Sequence, residues 1–110
     1  MNVKAYLTAF HQPDDGPVKV RPIEIPDDGE GRLPADTEAM LALAFHYGQN
    51  DFQPVEGCYS LSVGDVVELD AERRFRVAGM GWVRLDADAD PTALIGCDAR
   101  DAARKERQIF

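Results

Sequence analysis

The stretch Tyr59–Leu85, YSLSVGDVVELDAERRFRVAGMGWVRL, decides the fold that we expect for this chain. Gly64 and Asp65 predict a tight turn into the apolar run VVEL, and the Gly-Met-Gly sequence at residues 79–81 predicts a bend between two strands. The strands predicted around these turns are Ser60–Leu69 (a pair or one bent strand), Arg74–Ala78 and Trp82–Leu85. No group in this stretch is arranged for chemistry.

One helix and two further strands are predicted upstream of this stretch. Asp36 is a suitable N-cap, and apolar residues recur at helical spacing over residues 37–47, which predicts an amphipathic helix. Gly48 is placed to end that helix as a left-handed residue. The first predicted strand is Val3–Phe10, with Val3, Ala5, Leu7 and Ala9 on one side. The second is Val18–Ile25, with Val18, Val20, Ile23 and Ile25 inward, and Pro22 makes it an edge strand or a bulged one.

Asp90 and Pro91 form the pattern of an N-cap followed by proline at the first helical position, so a C-terminal helix to about Gln108 is predicted. Gly96 weakens that helix. The predicted elements follow in the order strand, strand, helix, strands, helix. The connections between successive strands are too short for the crossovers that parallel strands require. We therefore predict one α+β domain over residues 1–110, with a small, mainly antiparallel sheet, a central amphipathic helix and a C-terminal helix.

The chain is acidic, with a formal net charge of −8 from 20 acids and 12 bases. Residues 1–70 hold thirteen acids and four bases, whereas residues 71–110 hold seven acids and eight bases. This balance argues against general nucleic-acid affinity, which depends on Lys and Arg, and favours basic partners. Neither a secretion signal nor the ~20 apolar residues of a membrane helix are found, so we expect a cytoplasmic protein with reduced thiols.

Residues that can carry chemistry do not occur in catalytic or metal-binding patterns. Asp86–Asp90 resembles the start of a calcium loop, but Pro91 stands where that loop needs glycine and Cys97 where it needs a bidentate Glu. The remaining candidates for a zinc site or a nucleophile–base pair are His11, His46, Cys58 and Cys97. They lack the short spacings of a zinc site, and no group is placed to orient a nucleophile. We expect no catalytic residue, no metal and no cofactor, and hence no enzyme.

Three sets of residues are candidates for binding a partner. Trp82 is most simply a core or core-edge residue, with an interface anchor as the alternative. The C-terminal helix puts Arg100, Arg104 and Arg107 on one face, either as a solvated helix end or as a basic patch for nucleic acid, an acidic partner or a second copy of the chain. The acids in the two loops flanking the second strand are Asp14, Asp15, Asp27, Asp28 and Glu30. They form a solvated acidic face or, if they share one surface, a mimic of phosphate charge.

The runs Ser60–Leu69 (SLSVGDVVEL), Phe75–Val77 and Gly81–Val83 resemble the YodL-like domain and related small accessory proteins of conjugative elements. Those proteins have an SLSVGDVV-type run, a strand with an aromatic residue and a closing glycine–aromatic pair. Tyr47–Asp51 after the helix is similar as well, so the resemblance covers roughly residues 37–85. The family has no known catalytic residues, and the resemblance implies only an accessory gene of a plasmid, phage or integrating element.

Charge, motifs and resemblance together predict a non-enzymatic accessory protein of a mobile genetic element that acts by binding another protein. A specific form of this function is an acidic inhibitor of a host defence complex, such as an anti-CRISPR or anti-restriction protein, whose Asp and Glu loops fill a basic groove. The alternative is nucleic-acid binding through the basic C-terminal helix. No membrane partner is expected, and a homodimer remains open.

Overall fold

The computed structural model of the protein describes residues 1–27, 29–105 and 109–110. Five strands form one antiparallel sheet in the order β2-β1-β3-β4-β5, so the predicted α+β fold is confirmed. No helix in these ranges is long and apolar enough to cross a membrane. In chain order the elements are β1 (Asn2–Tyr6), β2 (Val20–Glu24), α1 (Thr37–Tyr47), β3 (Val66–Glu68), β4 (Arg74–Ala78), β5 (Gly81–Leu85) and α2 (Gly96–Lys105).

The main core lies between α1 and one face of the sheet. Its cluster joins strand residues such as Val3 and Phe75 to Met40, Leu41 and Ala44 of α1. Side chains alternate along a strand, so every second residue faces the other side. The residues buried outside that cluster include Val66, Val83, Ala99 and Ala103. This burial places α2 on the opposite face of the sheet, where it packs on β4.

The helix α1 begins and ends where the sequence predicts, but the reason for a glycine at its C-terminal end differs from the prediction. Asp36 Oδ1 accepts a hydrogen bond from the Glu38 backbone N–H at 3.2 Å. Gly48 has φ −80°, so the prediction of a left-handed residue is wrong. A Cβ at this position would lie 2.5 Å from Leu61 Cδ1. Glycine is therefore needed here because the chain passes close to a core side chain.

In β2 the inward-facing residues differ from the prediction. The strand is shorter than Val18–Ile25, and Val20 is 47% exposed. Arg21, Ile23 and Ile25 are the buried residues. Because side chains alternate strictly, Ile23 and Ile25 can face the core only if Arg21 does so and Val20 faces out. The predicted edge position of a strand containing Pro22 is confirmed.

Three other element boundaries differ from the predictions. β1 stops at Tyr6, since the Thr8 carbonyl leaves the sheet and accepts the Gly96 N–H at 2.8 Å. The predicted strand Ser60–Leu69 is reduced to the three residues of β3. α2 begins at Gly96, five residues after Pro91, because the Asp90 carboxylate closes a local turn on the Thr92 N–H at 2.9 Å. The predicted helix end at Gln108 lies outside the described residues.

Candidate functional site

The Gly64-Asp65 turn is a structural junction. Asp65 is fully buried, and its Oδ1 accepts hydrogen bonds from the Ala9 N–H and the Tyr59 hydroxyl, both at 2.8 Å. Its Oδ2 accepts from the Ser62 N–H at 2.9 Å. Burial raises the pKa of Asp65, while these hydrogen bonds act in the opposite direction. The carboxylate therefore ties the turn to the end of β1.

Gly64 completes the same junction through its carbonyl. The oxygen accepts hydrogen bonds from Thr8 Oγ1 at 2.7 Å and from Arg76 Nη1 at 2.8 Å. Gly64 has φ +104°, and a Cβ there would lie 3.1 Å from Arg100 Cγ on α2. The most distinctive motif of the sequence therefore joins β1, β3, β4 and α2, which explains its residues without a catalytic role.

Arg21 holds the segment after α1 against β2. Its side chain is fully buried, and Nη1 donates to Asn50 Oδ1 at 2.6 Å and to the Tyr59 carbonyl at 2.8 Å. Nη2 donates to the Gln53 carbonyl. In the described part of the chain no carboxylate lies within ion-pair distance of this guanidinium, and burial lowers the pKa of Arg21. Three oxygen acceptors compensate this buried charge in part, and Arg21 Nε has no hydrogen-bond partner in the described part of the chain.

The same segment covers the outer edge of β2. Gln53 Oε1 accepts from the Glu24 N–H at 3.0 Å, and Gln53 Nε2 donates to the Glu24 carbonyl. Pro22, whose backbone faces the same way, has no N–H. Lys19 Nζ donates to the Gly57 carbonyl at 2.7 Å and fixes the far end of the segment. Residues 49–57 therefore run along β2 and close this edge to strand addition.

We name the exposed acids of this segment, of β2 and of the two predicted loops the acidic margin. The loops precede and follow β2, whose five residues span roughly 17 Å. Asp15 lines one cavity with Gly57, and the Glu24 N–H is bonded to Gln53. The exposed acids of the acidic margin are Asp14, Asp15, Glu24, Asp27, Glu30, Asp51 and Glu56. Glu30 pairs with Arg32. Asp28 lies outside the described residues.

Sequence reasoning missed three acids of the margin. Asp51 and Glu56 belong to the bridging segment, and Glu24 lies on the strand that the segment covers. Nothing local in the sequence places this segment on β2, because its position depends on the contacts of Arg21 and Gln53. The inward orientation of Arg21 was the available signal, since a buried cation needs nearby acceptors.

An apolar groove with a volume of about 370 Å³ lies between α1 and the β4–β5 hairpin. The residues that line it, none of which is ionisable, are Ala42, Phe45, Val63, Val77, Ala78, Gly79, Gly81 and Trp82. Trp82 is 7% exposed and meets Phe45 edge-to-face, with ring centroids 6.4 Å apart. It is a core-edge residue, as predicted, and it forms a wall of the groove. Met80 stands at the tip of the hairpin with 82% of its surface exposed.

The three arginines predicted as a basic patch do not present three free charges in the part of α2 that the structure describes. The Arg100 guanidinium lies 5.2 Å from the centre of the Phe10 ring, and its Nη2 is 3.1 Å from Cys97 Sγ. Arg104 is exposed and lies 3.7 Å from Asp101 Oδ1. Arg107 lies outside the described residues.

Metal-ligating side chains are not clustered in the described ranges. There, no three His, Cys, Asp or Glu side chains converge on a point where a metal ion could bind. Tyr6, Glu68 and Arg74 form a polar cluster in which the Tyr6 hydroxyl donates to Glu68 Oε2 at 2.7 Å and Arg74 Nη2 donates to Glu68 Oε1 at 3.2 Å. The bond to Glu68 raises the pKa of Tyr6, which keeps the phenol protonated. The two bonds hold both carboxylate oxygens of Glu68 on this face of the sheet.

Comparison with known proteins adds no assignment to these surfaces. No family model matches the chain, and no curated protein or solved structure matches it significantly. The resemblance to the YodL-like domain stays a prediction. Function is therefore argued from the acidic margin.

Proposed function

We propose that the protein is a non-enzymatic accessory protein of a mobile genetic element and that it works by binding another protein through the acidic margin. The observation that supports this proposal is the position of residues 49–57. They are bonded along β2, so Asp51 and Glu56 lie on the same side of the molecule as Glu24, and Asp15 lines a cavity with Gly57. A partner with a Lys- and Arg-rich surface complements this charge.

The negative charge of the margin supports a more specific form of the proposal, an inhibitor of a host defence complex. The five residues of β2 span roughly 17 Å, a length over which duplex DNA carries roughly ten phosphate charges. Seven exposed acids along and beyond that length give a negative surface of lower charge density, since Arg32 pairs with Glu30 and exposed Lys19 lies beside Gly57. A basic groove built for nucleic acid, such as that of an anti-CRISPR or anti-restriction target, is the matching partner.

The proposal is tested by neutralising the margin and, separately, an equal number of acids elsewhere. The margin variant carries the changes Asp14→Asn, Asp27→Asn, Asp51→Asn and Glu56→Gln. The control variant carries Glu72→Gln, Asp86→Asn, Asp88→Asn and Asp98→Asn, all at exposed positions. Both variants lose four negative charges, so a general effect of net charge is the same in both.

The readout is quantitative mass spectrometry of proteins retained by each tagged form from a lysate of the bacterium that carries the gene. We expect a basic protein that the wild type and the control variant retain at ~0.1 M salt, that ~0.5 M salt releases, and that the margin variant loses. A defence complex recovered in this way is then assayed for loss of target cleavage. Equal retention by the margin and control variants contradicts the proposal, as does the absence of any salt-released partner.

Nucleic-acid binding through the C-terminal helix has no supporting contact among the described residues. Arg100 is engaged with Phe10, and Arg104 with Asp101. A measurable affinity for DNA or RNA that falls steeply with salt and is lost in Arg104→Ala would restore that alternative.

A further inference from the structure

The acidic margin contains an exposed aromatic side chain. Phe52 belongs to residues 49–57, comes directly after the margin acid Asp51 and is 54% exposed. Single exposed apolar side chains are common on protein surfaces and need no partner. Phe52 differs from them because it lies among the acids through which we propose that a partner binds, and aromatic residues are enriched where partners make their strongest contacts.

The backbone around Phe52 is fixed by hydrogen bonds. The Phe52 N–H donates to the Gln49 carbonyl at 3.0 Å. In the same segment, the Asn50 N–H donates to Ser60 Oγ at 2.9 Å, and Asn50 Nδ2 donates to the Cys58 carbonyl at 3.0 Å. The residue that the segment offers to a partner is therefore held in place before binding, which lowers the entropy cost of the contact.

The ring of Phe52 packs on the last turn of α1. Its centroid lies 3.9 Å from that of the His46 imidazole, and the two planes are tilted by 34°. His46 in turn meets the Tyr47 ring edge-to-face, with centroids 4.8 Å apart. The imidazole therefore supports one face of the Phe52 ring, and the exposed part of the side chain lies on the other face.

An open aromatic face beside a carboxylate suits an arginine side chain. The face of the ring carries negative potential and attracts a cation within about 6 Å of its centre. A guanidinium stacks on the ring by its plane and pairs with a carboxylate through its N–H groups, whereas the compact lysine ammonium is more strongly hydrated. The chain shows the stacked arrangement elsewhere, since the Arg100 guanidinium lies 5.2 Å from the centre of the Phe10 ring.

We infer that Phe52 and Asp51 bind an arginine side chain, so that the partner of the acidic margin presents arginine, and not lysine alone, to residues 49–57. This inference rests on the proposed function and names the residue type that the partner contributes. His46 holds the Phe52 ring in its orientation. Nucleic-acid bases also stack on exposed rings, but the acids around Phe52 repel phosphates.

Calorimetric titration of the full chain with an arginine decamer and with a lysine decamer, at ~0.1 M salt, tests the inference. Both peptides carry the same charge. Phe52→Leu removes the ring and keeps an apolar side chain, and Phe52→Tyr restores a ring. Phe45→Leu is the matched control, because Phe45 is an exposed phenylalanine of α1 that lines the apolar groove. Circular dichroism establishes that each variant is folded.

We expect Phe52→Leu to weaken binding of the arginine decamer by about 5-fold and to leave binding of the lysine decamer unchanged. Phe52→Tyr and Phe45→Leu should bind both peptides as the wild type does. Equal affinities of Phe52→Leu and the wild type for the arginine decamer overturn the inference, as does an equal loss for both decamers, while the acidic margin keeps its proposed role. If neither decamer binds the wild type, the proposed function fails and the inference fails with it.

Discussion

At one end of the sheet, a side-chain-bonded segment and exposed acids lie along the outer edge of β2. At the other end, β5 is bonded to Ile109 and Phe110, and an apolar groove lies open between α1 and the β4–β5 hairpin. The cover at β2 depends on polar contacts, above all those of Arg21 and Gln53. The groove side depends on packing, with Trp82 between the core and Phe45. Polar contacts fix a charged surface in place, and packing leaves an apolar groove beside the core.

The largest expected effect is on the packed side, from Trp82→Ala. Removal of this core-edge ring should lower the free energy of unfolding by about 3–5 kcal/mol. Chemical denaturation measures the change, and Phe45→Ala is the control, since Phe45 is more exposed and should cost less than about 1.5 kcal/mol. Equal losses for the two variants would mean that Trp82 belongs to the groove more than to the core.

On the polar side, Arg21→Leu should cost about 2–4 kcal/mol, because three oxygen acceptors lose their buried donors. Hydrogen exchange should speed up in residues 49–57 and remain slow in β4. Lys19→Met is the matched control, because exposed Lys19 makes one bond to the Gly57 carbonyl and its loss should cost about 0.5–1 kcal/mol. Unchanged protection of residues 49–57 in Arg21→Leu would refute the role given to this side chain.

The helix α1 packs against both regions, and Gly48→Ala tests how tightly the C-terminal end of this helix packs on Leu61. The new Cβ would lie 2.5 Å from Leu61 Cδ1, so we expect a loss of about 1–3 kcal/mol in thermal or chemical unfolding. Gly79→Ala is the control, since no atom lies within 4 Å of its added Cβ. A Gly48→Ala variant as stable as Gly79→Ala would show that Leu61 moves aside without cost.

The smallest expected effect is the contribution of Asp65 to the pH dependence of the unfolding free energy. Burial raises its pKa above the ordinary 3.8 in the folded state, so the folded chain takes up a proton before the unfolded chain does. Stability relative to Asp65→Asn should therefore increase as pH falls from neutral towards 3.8. The Asp65 carboxyl carbon, followed by NMR, should titrate above that value. A midpoint below it would mean that the three hydrogen bonds outweigh burial.

The sequence predicts elements whose signals are local. α1 has an N-cap at Asp36 and helical spacing of apolar residues, and its predicted bounds match the structure. Arg74–Ala78 lies between two turns, and it too is confirmed. The predicted start of the last helix at Pro91 is wrong, because Asp90 caps an isolated turn and the helix begins at Gly96. A capping residue marks a turn without specifying how far the turn continues.

The surfaces were less predictable, since they depend on contacts between distant residues. Four of the five acids in the predicted loops are described and exposed. The acids of residues 49–57 lie near β2 only because Arg21 bonds to the carbonyls of Gln53 and Tyr59, which are more than about thirty residues away. The sequence predicts Trp82 as a core or core-edge residue, with an interface anchor as the alternative, and the ring is buried at the edge of the core. The groove beside it was not, because Ala42 and Phe45 come near Gly79 and Gly81 only in the folded chain.

The most direct test of the account is a set of amide spectra of the ¹⁵N-labelled protein, recorded on titration with a lysine decamer. The account predicts that the decamer moves the signals of the acidic margin, such as Asp14, Glu24 and Asp51, and that added salt reverses the change. The signals of Ala42 and Trp82, which line the groove, should stay in place. A margin that does not respond to the decamer, or groove signals that move with it, would contradict the account.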